Sequence, residues 1–236
     1  MNLTDHGNDF GVEWVDVTIE PHHVEQFANQ AVRIYEATIA PGIATQFHRH
    51  THDTIYVVTA GGRFRSDEPG HHIPGTRVGR STPLPRQLWW LATRKLAGGW
   101  VTMPTGTVIA QPHRTHPLIH RVIAHPTNAA AIRMLGIEPH RERPVSAPPA
   151  SAPGIRIEFG GPPWPVYRLS TLSDHQPQQV TLAGGGVLVV VRGSAAAQRQ
   201  GQVHHVEAGQ ACVLSPGPST IESIESRGMD ALLIPL

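Results

Sequence analysis

Glycine (23) and proline (22) together approach a fifth of the 236 residues, and they fall at short intervals between short apolar runs. Both residues break helices and favour turns, so a chain punctuated this way has little room for long helices. Short apolar runs bounded by such signals build β-sandwiches and barrels. The predicted strands of the first half are 12–19, 32–39, 54–60, 63–66, 88–93, 100–103, 118–124 and 130–137. Those of the second half are 155–159, 166–170, 178–182, 186–192, 203–207, 210–214, 220–224 and 231–234. Only residues 22–30, following Pro21, read as a short helix, while 67–86 and 105–117 read as long surface loops. The expectation is an all-β chain.

Residues 138–154 carry five prolines and almost no apolar bulk, the composition of a semi-rigid, extended linker. The expected division is a first domain over 1–140, a linker over 141–154 and a second domain over 155–236. Laying residues 55–61 over 187–193 matches two apolar runs that both end in glycine. Gly98, Pro104 and Gly106 can likewise be laid over Gly209, Ser215 and Gly217. Two landmarks in the same order argue for a duplicated domain. In this register His48 falls on Val180, His50 on Leu182 and Thr54 on Gly186, so the second copy carries no matching polar set.

The formal net charge of +1 gives no case for nucleic acid or an acidic membrane surface as partner. The single cysteine, Cys212, excludes an intramolecular disulfide and a thiolate metal cluster. No signal peptide is visible at the N-terminus, and the longest purely apolar run, 187–191, is far too short to span a bilayer. A cytoplasmic protein is the expectation. Sixteen histidines stand out against this background.

Three of them, His48, His50 and His52, alternate with Arg49, Thr51 and Asp53 just ahead of the apolar run 54–60. A strand has a side-chain period of two, so three alternating imidazoles project from one face. Such a row offers nitrogen ligands to a borderline metal; the alternative is a solvated edge strand that is merely rich in histidine. Tyr56 and Thr54 share the parity of His48 and His50. Trp89 and Trp90 adjoin on a predicted strand, so one faces in and one out, and Gln87 is a polar strand residue able to anchor a substrate. Gly184-Gly185-Gly186 lacks the Lys-Ser/Thr of a phosphate loop and reads as a turn. His204 and His205 are adjacent and cannot both enter a barrel; solvated positions are expected for them.

Gly42, His48-Arg49-His50, Thr54 and Gly61 resemble, in spacing, the first motif of the cupin superfamily, a Gly, His-x-His, Glu and Gly. Gly98 followed by Pro104-Thr105-Gly106 is similar to the opening of the second cupin motif, which ends in a histidine. Together with the repeat, the chain from about Gly11 onward looks like a bicupin: two tandem double-stranded β-helix (jelly-roll) barrels, the second degenerate. Two departures stand out. Thr54 replaces the usual metal-binding Glu, and Ile109 occupies the usual place of the second-motif histidine. His113, His116 and His120 compete for that role; His120 is favoured because 118–124 reads as a strand ending at a turn.

The resemblance implies a divalent transition metal held by His48, His50 and His120, with Fe(II) expected and Zn, Ni, Mn or Cu as alternatives. Cupins with three histidine ligands exist among thiol and diketone dioxygenases. A 2-oxoglutarate-type triad would need a carboxylate, and Asp53 lies on the wrong face of a regular strand. Three neutral ligands leave the ion its full charge, which favours an anionic chelating substrate. The expected function is a metal-dependent enzyme on a small organic substrate, an Fe(II) dioxygenase. His52 or His116 would serve as acid/base, and Thr54, Tyr56, Gln87 and Trp89 would line the substrate pocket. A Zn or Ni isomerase or cyclase and a non-catalytic small-molecule-binding bicupin are the alternatives. The expected partners are a small, anionic substrate and a second copy of the chain as a homodimer, with no nucleic acid and no membrane.

Overall fold

The computed structural model describes residues 6–69, 77–78, 99–141, 154–159, 164–171, 177–224 and 228–236. No helix occurs among them, and none is therefore long and apolar enough to cross a membrane. The chain divides into two compact units, Met1–His140 and Arg141–Leu236. Residues 142–153, most of the predicted linker, lie outside the described residues, as do Gln87, Trp89 and the predicted strand 88–93.

The first unit contains β1 (His6–Asp9), β2 (Val12–Asp16), β3 (His23–Ala28), β4 (Val32–Ile39), β5 (His48–His50), β6 (Thr54–Ala60), β7 (Gly62–Asp67), β8 (Arg77–Val78), β9 (Trp100–Met103), β10 (Val108–Gln111), β11 (Leu118–Ala124) and β12 (Ile132–Pro139). They form two six-stranded sheets, in the orders β1-β2-β5-β11-β7-β9 and β3-β4-β12-β6-β10-β8. The predicted strand 12–19 ends early because Asp16 accepts hydrogen bonds from the Thr18 amide and hydroxyl, which turns the chain. The short helix predicted over 22–30 is instead edge strand β3, paired with β4 from His23↔Ala37 to Ala28↔Arg33. Its sequence, His-Val-Glu-Gln-Phe-Ala, does place Val24, Phe27 and Ala28 at helical spacing, but Val24 and Phe27 are exposed and so short a segment gains more from pairing along β4 than from an isolated helical turn. The predicted loop 105–117 contains β10, which joins β6 through Ile109↔Tyr56 and its neighbours.

One difference matters for the site. The run 48–60 is not one strand: β5 lies in the first sheet and β6 in the second, so the chain changes sheets at residues 51–53. Strand parity therefore links His48 to His50 but not to His52 or Thr54. Gly61, where β6 hands over to β7, packs against the backbone of residues 103–105 so closely that no Cβ fits.

Between the two sheets the interior is layered. One layer is apolar: Ile39, Val58, Phe64, Val101, Met103, Ile109, Val122, Ala124, Ile132 and Met134 form a continuous cluster with Tyr56 packed on it. The register Tyr35↔Gly136↔Tyr56 carries the second sheet from that layer towards Arg33↔Glu138, an ion pair buried at 2.9 Å. Gly136 is required there, since any Cβ would run into the Tyr35 ring.

The second unit contains β13 (Ile155–Phe159), β14 (Val166–Thr171), β15 (Gln178–Leu182), β16 (Gly186–Arg192), β17 (Ser194–Arg199), β18 (Gln202–Glu207), β19 (Ala211–Leu214), β20 (Gly217–Ser223) and β21 (Met229–Pro235). Its sheet orders, β13-β14-β21-β16-β19 and β15-β20-β17-β18, reproduce β3-β4-β12-β6-β10 and β5-β11-β7-β9 of the first unit. The duplication is thus visible in topology. The first landmark of the sequence repeat agrees, for β6 corresponds to β16 at the predicted offset. The second landmark is corrected: Gly106 corresponds to Gly209, not Gly217. Both have φ of 85°, and their amides donate at 2.8 Å to the equivalent Val58 and Val190 carbonyls. The core of this unit is apolar, built from Leu169, Val180, Leu182, Leu188, Val190, Ile221, Leu233 and others.

Candidate metal centre

Residues from both sheets of the first unit converge in its polar layer. Strand β5 lies between β2 and β11, with His120 directly opposite His48 and Leu118 opposite His50. Cross-strand partners share a face, and the rings of His48 and His120 lie 4.6 Å apart. His50, two residues along the same face, brings its Nε2 within 3.2 Å of the His120 Nε2. The second sheet contributes Tyr56 from β6 and His23 from the start of β3; the loop after β10 contributes His113.

The Nδ1 side of each sheet-borne imidazole is tied down. The Nδ1 of His48 donates to the Gln46 carbonyl at 2.9 Å, and its Nε2 is buried without a hydrogen-bond partner. The Nδ1 of His120 faces Ser66 Oγ at 3.0 Å, while Ser66 donates its own proton to Glu68 at 3.1 Å. The Nδ1 of His50 faces the Tyr56 hydroxyl at 3.3 Å, and that hydroxyl also meets the His113 Nε2 at 3.1 Å. The Nδ1 of His23 donates to Glu20 at 2.6 Å. An acceptor at Nδ1 places the proton there and leaves the Nε2 lone pair free, the arrangement seen around metal-bound histidines.

Electrostatics point the same way. Burial lowers His48 to about 3, helped by the repulsion of His23. Burial holds His50 well below its ordinary value, with His48, His113 and His120 adding to the effect. His113 is lowered to about 3, again by burial. All three are neutral near pH 7, as ligands must be. Glu20 behaves oppositely. Burial raises it, but hydrogen bonds from His23 and His22, the charge of His23 and the Gln46 amide outweigh this and hold it at about 2.

The donor set fits a borderline divalent ion. Two ligand nitrogens bound at about 2.1 Å in a tetrahedral site stand about 3.4 Å apart, close to the 3.2 Å between His50 and His120. Ligating nitrogens of His23, His48 and His50 also lie within 4.8 Å of one another.

The other predicted site residues are elsewhere. His52 is exposed at the sheet crossover, beside Thr51 and 6.2 Å from the His140 ring. His116 is exposed beside Thr115. Neither joins the cluster. Asp53 accepts the Arg114 amide at 2.9 Å and so anchors the loop that carries His113. Thr54 is buried, with its hydroxyl donating to the His52 carbonyl at 2.8 Å. Tyr56 does reach the cluster, and Gln87 and Trp89 lie outside the described residues. Glu20 and His23 are not among the residues the sequence singles out; the one signal is the Glu20-Pro21-His22-His23 run, whose two histidines fall in the short helix expected over 22–30.

In the second unit the positions of His48, His50 and His120 are taken by Val180, Leu182 and Ser219, as β15 pairs with β20 through Val180↔Ser219 and Leu182↔Gly217. His204 and His205 are exposed on β18.

No family model and no curated protein matches the sequence. Solved structures do. Ylba from E. coli matches with a TM-score of 0.56 at 8% identity, covering 91% of this chain and 84% of that one. A variant of salicylate 1,2-dioxygenase from Pseudoaminobacter salicylatoxidans in complex with gentisate matches with a TM-score of 0.53 at 13% identity, covering 90% and 73%. A cupin 2 conserved barrel domain protein from Leptotrichia buccalis matches with a TM-score of 0.47 at 10% identity, covering 91% and 88%. The chain has the cupin fold in tandem, and among the described residues the histidine cluster able to hold a metal lies in the first barrel.

Proposed function

We propose that the protein is a metal-dependent cupin enzyme acting on a small, anionic organic substrate, with Fe(II) as the metal and a dioxygenase reaction as its chemistry. The observation that carries the reading is the facing pair of Nε2 atoms on His50 and His120, 3.2 Å apart, beside the unpartnered Nε2 of His48. These three residues would hold the metal. When bound, the ion would supply a Lewis-acidic centre for a chelating anion and O₂ together. Gln46, Ser66 and Tyr56 orient the three imidazoles, and burial keeps His48 and His50 unprotonated. Tyr56 is a neutral phenol, raised by burial, and would donate to or accept from a substrate oxygen next to His50. The sequence contains no carboxylate at position 54 to neutralise the ion, which favours an anionic substrate.

The test is anaerobic reconstitution with Fe(II), followed by oxygen-uptake assays on a panel of hydroxybenzoates, β-diketones and thiol acids. Salicylate and gentisate enter the panel through the structural neighbour. Turnover of one class that is lost in His48→Ala supports the reading; no metal uptake by the parent protein overturns it. The complete burial of His48, His50 and His113 favours one second reading, a closed Zn or Ni site serving isomerisation or small-molecule binding. Uptake of Zn without oxygen consumption would select it.

A further inference from the structure

Cupin sites of the usual kind balance the metal's charge with a carboxylate, and here that position is Thr54. Its hydroxyl proton is committed to the His52 carbonyl, so it supplies no anionic ligand. On the opposite sheet the start of β3 brings His23 against the cluster, its ring 4.5 Å from His48 and 6.0 Å from His50. Because Glu20 takes the Nδ1 at 2.6 Å, the free nitrogen of His23 is Nε2, as in His48.

Glu20 is built to keep a charge in the interior. It is 1% exposed, yet its Oε1 accepts from His22 Nδ1 at 2.9 Å and the Gln46 amide at 3.1 Å, while Oε2 accepts from His23 Nδ1 and the His22 amide at 2.8 Å. That many donors offset the desolvation of a carboxylate. The same carboxylate reaches the first sheet, since the residue whose amide it holds, Gln46, gives its carbonyl to His48.

We infer that His23 is a fourth ligand of the metal centre and that Glu20, one hydrogen bond behind it, supplies the negative charge that Thr54 cannot. The inference rests on the metal-centre reading above. It makes the donor set entirely nitrogen, with a carboxylate–histidine–metal relay in place of a carboxylate ligand. Net charge at the site equals that of three histidines and one Glu, but the ligand softness differs. An all-imidazole set disfavours Mn(II) against Co(II), Ni(II) and Zn(II) by more than a carboxylate-containing set does. A turn-stabilising ion pair between Glu20 and His23 is the competing account, and it predicts no effect on the metal beyond folding.

The experiment is titration of the metal-free, full-length protein with Co(II) and Zn(II), read by visible absorption of the Co(II) form and by calorimetry. Circular dichroism checks that each variant is folded. His23→Gln is expected to bind at least as much more weakly as the roughly 10–100-fold that losing an outer partner such as Glu20 costs, with Co(II) bands shifted by the loss of a nitrogen donor. Glu20→Gln is expected to weaken binding while keeping the parent band pattern. Should His23→Gln fail to fold, His23→Gly titrated in the presence of imidazole replaces it, and restoration of the parent spectrum by imidazole supports the assignment. A folded His23→Gln, or a His23→Gly without imidazole, that keeps parent affinity and spectrum overturns it. If His48→Ala loses the metal in that same experiment, only His23's role falls; if His48→Ala also binds normally, the metal-centre reading falls with it.

Discussion

Ser66 Oγ lies 3.0 Å from the Nδ1 of His120 and donates its own hydrogen bond to Glu68, so the serine accepts from the imidazole. That relationship decides which nitrogen of His120 carries hydrogen. With Nδ1–H held by Ser66, Nε2 faces the Nε2 of His50 as a lone pair rather than as a donor.

Ser66→Ala should therefore weaken metal binding without unfolding the protein. Removing an outer partner of a ligating histidine costs about 10–100-fold in affinity, and Ser66 is only half-buried. Ser66→Thr keeps the hydroxyl and should bind like the parent. Calorimetric titration with Zn(II) reads both; equal affinity in Ser66→Ala would show that the serine does not set the tautomer.

Metal stoichiometry should be one per chain. The equivalents of His48 and His50 in the second unit, Val180 and Leu182, are core residues. Elemental analysis should find the metal lost in His48→Ala/His50→Ala and unchanged in His204→Ala/His205→Ala. A second equivalent that disappears with His204 and His205 would mean the second unit binds metal after all.

The part of this centre legible in the sequence is the part that local periodicity governs. His48 and His50 share a face because β5 is a strand, and His120 stands opposite because Leu118–Ala124 pairs with it. Parity fails one residue beyond the strand: the crossover at 51–53 sends His52 to the surface and puts Thr54 on the other sheet. Glu20 and His23 were invisible for a related reason. They reach the site through the pairing of β3 with β4 and the packing of one sheet on the other, which no spacing in the chain encodes. The tandem repeat was readable because β6 and β16 keep their apolar runs, whereas Gly106 and Gly209 align only once hydrogen bonding to Val58 and Val190 is known.

Acid should destabilise the metal-free protein well before carboxylates titrate. Unfolded imidazoles protonate near 6.5, while His48 and His113 in the fold are lowered to about 3. Above pH 6.5 neither state binds these protons, and stability is at its full value. Below it the unfolded chain takes up protons that the fold refuses, so stability falls by about 1.4 kcal/mol per pH unit for each such site. Glu20, held at about 2 against an ordinary 4.5, contributes stability that is intact above 4.5 and lost only as pH drops from there towards 2. Melting temperatures measured from pH 8 to 5 should decline below 6.5, and His113→Gln should flatten the decline by one site. A flat profile down to pH 5 would show that the buried imidazoles are not held neutral.

Gly136→Ala should be costly although the change is one methyl group. The new Cβ would fall within the ring of Tyr35, which is fully buried and 5.3 Å from the His23 ring. Overpacking of this kind costs about 1–3 kcal/mol. Tyr35→Leu in the same chain should recover part of that loss, because it removes the atoms that clash. Denaturant unfolding of both variants checks the coupling, and a neutral Gly136→Ala would mean the second sheet yields more easily than its register implies.

Thr54→Glu tests how the centre balances charge. The threonine is buried and bonded to the His52 carbonyl, so a glutamate there must give up that bond and turn its carboxylate towards the histidine cluster or stay buried and unpaired. Pairing with the ion is the lower-energy outcome, since an isolated buried carboxylate is heavily penalised. Metal content should hold or rise, while binding of an anionic substrate drops sharply because its charge is already supplied. The informative combination is Thr54→Glu with His23→Gln. If His23 and Glu20 stand in for the missing carboxylate, the glutamate should recover about tenfold of the Zn(II) affinity lost in His23→Gln, a non-additivity of about 1.4 kcal/mol. If the two substitutions simply add, position 54 and the Glu20–His23 pair do not serve the same ion. Calorimetry on the parent, the two single variants and the double variant, each with and without metal, closes this cycle; ligand affinity identical in all of them would remove the metal from the protein's function.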